Sequence, residues 1–229
     1  MAGSGASSRH FPKFPAHLST EERERQHQIL TDLFSAVWHP GSSSDSETGP
    51  SARRMRDWHW ELFHWTTEHR AEAGEFRSKN VPVPWMLQLV GAGKARTIRL
   101  RQIRSGSVHN RAHIMCRHFR RRLAKPLDPD VALDEIVDAV AELFVETLRL
   151  QPFAVGSYEI ALLNMHVGYK FAGCAPVILS EHDPAVDDAT ARALLPGKGR
   201  DAKNNRSALV ALMLRRHRDN TGGSAVDGG

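Results

Sequence analysis

The chain has 229 residues, 41% of them hydrophobic and 25% charged, with a formal net charge of +5, an ordinary globular composition. Its two cysteines, Cys116 and Cys174, lack CxxC spacing and exclude a disulfide framework. No run of about 18 apolar residues and no charged-then-apolar leader is present, so neither a membrane span nor secretion is indicated and a cytoplasmic location is expected.

The ends "MAGSGASSRHFPKFPAHLS" and "DNTGGSAVDGG" are small, polar and glycine-rich, too poor in apolar surface to offset their ordering entropy. Disordered tails are therefore expected at 1–18 and 219–229, around a single domain at 19–218. Within it, "STEE" from Ser19 to Glu22 is a capping-box pattern, and Leu30, Leu33, Phe34 and Val37 recur at helical spacing until His39-Pro40-Gly41 stops the run. The segment "GSSSDSETGPS" reads as a loop. Ala52 to about Glu72 then reads as a second, aromatic-rich helix with Met55, Trp58, Leu62 and Trp65 on one side, closed by Gly74.

From Val81 the period changes. "VPVPWMLQLV", "GAGK" and "ARTIRLRQI" predict a β-hairpin whose first arm is weakened by Pro82 and Pro84. Ser107 to Leu123 reads as a basic helix, and Asp128-Pro129 as the start of a strongly amphipathic one through Leu133, Ile136, Val140, Phe144 and Leu148. Ser157 to Phe171 is apolar on most sides and is expected to be a central buried helix ended by Gly173. "DPAVDDATARALL" repeats the Asp-Pro start at Asp183, "PGKGRDAKNN" reads as a loop, and Arg206 to His217 as a last helix.

Charge is uneven along the chain. Between Phe76 and Leu127 there is no Asp or Glu, while lysines and arginines run from Arg77 to Lys125. Such a field attracts an acidic partner, or is a solvated face balanced in space by acidic helices elsewhere. Nucleic acid is disfavoured, because no aromatic interleaving or base-reading motif accompanies the arginines. His109, His113 and Cys116 share a helical face at metal-ligand spacing, yet basic neighbours disfavour a cation, and no residue is assigned to a metal. No cofactor is expected.

Three segments carry a resemblance to a known family. "AEAGEFRSKNVPV" at 71–83 resembles the AGxxR segment of the Fic/Doc (fido) family, "ELFVETLRLQPFAVG" the helix entering its HPFx(D/E)GNGRxxR signature, and "ALLNMHVGYKFAGCAPVIL" the buried helix and turn that follow. The resemblance spans roughly Ser51 to Leu179 and implies a mainly α fold: a Fic/Doc-like helical core with one β-hairpin flap over the site. It also implies AMP transfer to protein hydroxyls, through a histidine base, an acidic metal ligand, a Gly-Asn-Gly phosphate turn and two clamping arginines.

Aligned on that signature, the base position holds Gln151, the acidic position Val155, and Gly156 keeps the first glycine, while Ser157, Tyr158, Glu159 and Leu162 replace the rest. Pro152, Phe153 and Gly156 match, and they shape the turn. An amide cannot take a proton as imidazole does. Valine cannot ligate Mg²⁺. Glutamate for a clamping arginine changes the local charge by two units against a phosphate. Standard AMP transfer is therefore not expected.

The preferred reading is a repurposed enzyme acting on a small molecule in the former nucleotide cleft, with Gln151, Tyr158 and Glu159 as catalytic groups and Phe153, Gly156, Ser157, Arg77 and Asn80 binding substrate. A helix cap for Glu159 and plain packing for Tyr158 compete with it. The alternatives are a residual Fic-type transferase, with Arg77, Asn80, Lys198, Arg200 and Asn204 near phosphate, and a non-catalytic module docking an acidic protein partner.

Overall fold

A computed structural model describes residues 18–39, 49–78, 86–91, 94–99, 103–124, 132–179, 183–195 and 197–222. Residues 1–17 of the tail expected at 1–18, the prolines Pro82 and Pro84, the Asp128-Pro129 helix start and Asn80 lie outside the described residues. What is described is mainly helical, and no helix in it is long and apolar enough to cross a membrane.

α1 (Thr20–Trp38) begins with the expected capping box: Ser19 Oγ accepts from Glu22 N–H at 3.2 Å and the Glu22 carboxylate accepts from Ser19 N–H at 2.8 Å. α2 (Ala52–Phe63) is capped by Ser51 but stops well short of Glu72. The stop is made by Thr66, whose hydroxyl donates to Phe63 O at 2.8 Å while its backbone N–H reaches the same carbonyl at 3.1 Å. A side chain that takes a helix carbonyl competes with helix continuation, and only a short 3-10 turn, Arg70–Glu72, follows.

β1 (Met86–Gly91) and β2 (Lys94–Arg99) pair antiparallel, with Met86 opposite Arg99 and Gly91 opposite Lys94, and β1 runs beside α6. α3 (Val108–Leu123) buries Val108, Ala112, Cys116 and Phe119 on one stripe. α4 (Ala132–Leu150), α5 (Ser157–Phe171), α6 (Pro184–Ala193) and α7 (Arg200–Gly222) complete the element order. α7 starts earlier and runs longer than its apolar repeat suggests, to Gly222 and past the Arg218 boundary of the expected tail. Its extra first turn is hydrogen-bonded from Asp201 N–H to Lys198 O and from Lys203 N–H to Gly199 O, with Asp201 placed where a helix N-terminus favours a carboxylate.

The core lies on two sides of α5. Tyr158, Ala161, Leu162, Met165 and Tyr169 face a cluster shared with α4, α6 and α7. Ile160, Leu163 and Val167 face a second cluster shared with α1, α2 and the start of α3. Two apolar stripes on one helix leave no polar face, which is why every residue from Ser157 to Tyr169 is buried. α4 is tied to its neighbours by charge as well as packing. Asp138 accepts from Arg206 Nε of α7 at 3.0 Å and from Arg122 Nη2 of α3 at 2.8 Å, while Arg122 Nη1 also reaches Glu142 at 2.7 Å. Burial opposes ionisation of Asp138, but the two guanidinium groups win and hold its carboxyl below the usual carboxylate range.

Candidate functional site

The segment from Leu150 to Ser157 turns the end of α4 into the start of α5. Gln151 N–H makes the last helical bond, to Thr147 O at 3.1 Å, and Gln151 then takes φ +45°, in the left-handed region. Pro152 follows. A left-handed residue and then proline is a physical stop signal for a helix, normally given to glycine because a side chain adds about 1 kcal/mol of strain there.

That strained turn is held from outside. Arg77, the arginine of the AGxxR segment, donates from Nε to Gln151 O at 2.6 Å and from Nη2 to Leu150 O at 3.2 Å and Ile103 O at 2.6 Å, while its own N–H bonds Pro152 O at 3.0 Å. A guanidinium at the C-terminus of α4 meets the negative end of the helix and satisfies carbonyls the helix leaves open. Arg77 is thus a backbone clamp between α4, the 3-10 region and the segment before α3. Its guanidinium, which the sequence suggests for substrate, here bonds carbonyls of the chain itself.

Past Pro152, Ser157 closes the loop on itself: its Oγ accepts from Phe153 N–H at 3.2 Å and donates to Phe153 O at 3.1 Å. Gly156 sits at φ +71° and begins α5, with no side-chain cap at that position. Glu159 is 2% exposed with both carboxylate oxygens shielded from water. Tyr158 turns toward α4, its ring packed edge-on to Phe144 with centroids 6.1 Å apart. Of the predicted site residues, Gln151, Phe153, Gly156, Ser157 and Arg77 are brought into one knot, whereas Tyr158 is directed into the main core. None of the side chains of Arg77, Gln151, Phe153, Ser157, Tyr158 and Glu159 is more than 7% exposed. Among the described residues of the turn, solvent reaches chiefly Ala154, Val155 and Gly156.

His59 completes the knot: the sequence suggests a surface histidine, in a His and Trp cluster with His64, Trp58, Trp60 and Trp65, whereas its side chain is buried at 1% exposure. Its imidazole stacks on Phe153 with centroids 3.9 Å apart and a 6° interplanar angle, and lies beside Phe63 at 4.7 Å. Nδ1 accepts from Gly74 N–H at 3.0 Å, so the ring proton must sit on Nε2, where it donates to Val155 O at 3.2 Å. One neutral histidine therefore joins the segment at Gly74 to the turn between α4 and α5. Burial pushes its pKa down to about 3. The available signal was position: His59 follows Met55 by four residues and precedes Leu62 by three, on the apolar stripe of α2, where a polar side chain needs internal partners.

The other polar groups do not assemble around this turn. Lys198, Arg200 and Asn204 are exposed at the head of α7. Cys116 faces the second core cluster and its thiol is pushed up to about 12 by burial, while His109 and His113 stay on the solvent side with ring centroids 4.7 Å apart. Among the described residues no three His, Cys, Asp or Glu side chains could hold a metal. A cavity of about 30 Å³, water-sized, lies between α3 and α4 against Met115, Phe119 and Leu143, away from the turn. No protein-family model, no curated protein and no solved structure matches the chain.

Proposed function

We propose that the chain is a Fic/Doc-like scaffold that has become a non-catalytic binding module, in which the former signature turn is a structural knot and the function is docking of an acidic protein partner. The observation that carries this reading is the fate of Arg77. Its guanidinium is committed to the carbonyls of Leu150, Gln151 and Ile103, at a turn whose Gln151, Ser157 and Glu159 are themselves buried. A phosphate would have to displace hydrogen bonds already made, beside a shielded carboxylate. In this reading the β1–β2 ladder corresponds to the family's flap.

The test is calorimetry of the full chain with ATP and Mg²⁺, beside an assay of labelled AMP transfer. Neither heat nor transfer is expected. Micromolar ATP binding or labelling of a protein target would return the chain to the transferase class.

A second reading, a repurposed enzyme with Gln151, Tyr158 and Glu159 as its polar groups, is favoured by one observation. Gln151 holds a left-handed φ at the position where the family has its base, and strained backbone gathers at functional sites. Gln151→Gly separates the readings. As a helix stop it tolerates glycine with equal or higher Tm; as a catalytic group its loss abolishes any Tm shift that a metabolite screen finds with the native chain.

A further inference from the structure

We infer that the docking surface is the solvent face of α3 and that its occupant is an acidic amphipathic helix of a partner protein; this rests on the docking reading above. α3 is sharply divided. Val108, Ala112, Cys116 and Phe119 point into the core, and the opposite side presents Ile114, Arg117 and Arg121 one turn apart, with Arg111 beside them. The helix carries no acidic residue. Among the described residues Arg111, Arg117 and Arg121 make no ion pair, whereas Arg122 on the same helix is engaged with Asp138 and Glu142.

Ile114 selects the kind of partner. It is 45% exposed in the middle of this arginine face. Among the described residues the other large exposed apolar side chains are Trp60, already stacked on His64 at 3.8 Å, and Ile178, whose carbonyl accepts from Arg216. A phosphate backbone gains nothing from an isoleucine, and α3 exposes no Phe, Tyr or Trp on which a base could stack. A helix with one apolar residue per turn flanked by glutamates meets both features: the apolar ridge covers Ile114 and the carboxylates pair with the flanking arginines.

The experiment uses the full chain and a fluorescent helical peptide matched to the 16-residue length of α3, with leucines on one stripe and glutamates beside them. Anisotropy is read at about 0.05 M and about 0.3 M salt, with a duplex DNA of similar length as competitor. Expected is salt-sensitive binding, weakened about tenfold or more by R111E/R117E/R121E and about fivefold by Ile114→Ser. Both variants alter exposed positions, and unchanged circular dichroism melting confirms that they fold. Binding indifferent to Ile114→Ser and displaced equally by DNA overturns the proposal in favour of a general polyanion surface. So does the absence of peptide binding at about 1 mM and low salt. Either failure leaves the non-catalytic reading to stand or fall by the ATP experiment, which does not involve this face.

Discussion

The ring of Phe63 covers Gly156, the residue that opens α5. A Cβ added at Gly156 would come within 2.7 Å of Phe63 Cζ, at a φ of +71° that disfavours a side chain even in open space. Gly156→Ala is expected to destabilise the chain by about 3 kcal/mol, combining left-handed strain with overpacking. Urea unfolding of Gly156→Ala, Phe63→Ala and the double variant checks the cause. The double variant should be less unstable than the sum of the two, and simple additivity would mean that the ring contact is not what makes glycine necessary.

The clamp at Arg77 is open to the same kind of test. Arg77→Met leaves the carbonyls of Leu150, Gln151 and Ile103 without this donor, and a loss of about 3 to 5 kcal/mol is expected. Arg77→Lys should recover less than half of it, since one ammonium cannot reproduce a fork that serves both the end of α4 and the segment before α3. Full rescue by lysine would contradict the forked geometry.

Two buried histidines tie stability to pH. The pKa of His59 is lowered from 6.5 to about 3 and that of His166 from 6.5 to about 4, in both cases by burial; His166 Nδ1 accepts from Trp38 Nε1 at 3.1 Å. Both are held neutral in the folded chain, so the unfolded chain binds more protons below 6.5. Stability is therefore full above that value and falls as pH drops toward about 4 and then about 3, by up to about 1.4 kcal/mol per pH unit for each histidine. Thermal melts at pH 7.5 and pH 5 should show a marked drop in Tm. A flat profile across that interval would remove the assignment of neutral, buried imidazoles.

The charge cluster of Asp138, Arg206 and Arg122 should behave as a unit. Asp138→Asn leaves two guanidinium groups facing Glu142 alone and is expected to cost about 3 kcal/mol. D138L/R206M, which removes a partner from each side, is expected to be more stable than Asp138→Asn, as denaturant midpoints would record. If the double variant is the worse of the two, packing of the arginine stem and not its charge is what matters.

Much of the framework is legible in the sequence alone. The Ser19 and Glu22 box, the start at Ala52, the span Ser157–Phe171 and the Asp183-Pro184 start all appear where the sequence places them, because caps and helical periodicity act between residues three or four apart. The end of α2 is not legible in the sequence: the aromatic pattern of Trp58 and Trp65 suggests continuation, whereas the Thr66 hydroxyl ends the helix at Phe63. The stretch "PGKGRDAKNN" is glycine-broken and polar and suggests a loop, yet from Arg200 onward it is already helical.

The turn between α4 and α5 divides along the same line. That Gln151 cannot serve as a base, that Val155 cannot hold Mg²⁺ and that Gly156 opens a helix are consequences of side-chain chemistry and need no neighbours. Whether Tyr158 and Glu159 could meet a substrate depends on what covers them, and the cover comes from residues remote in the chain: Arg77 on the carbonyls of Leu150 and Gln151, His59 on Val155 O, Phe63 over Gly156. Side-chain chemistry is carried by each residue alone, but burial is a property of segments packed together across many tens of residues, so it becomes visible only once the chain has closed on itself.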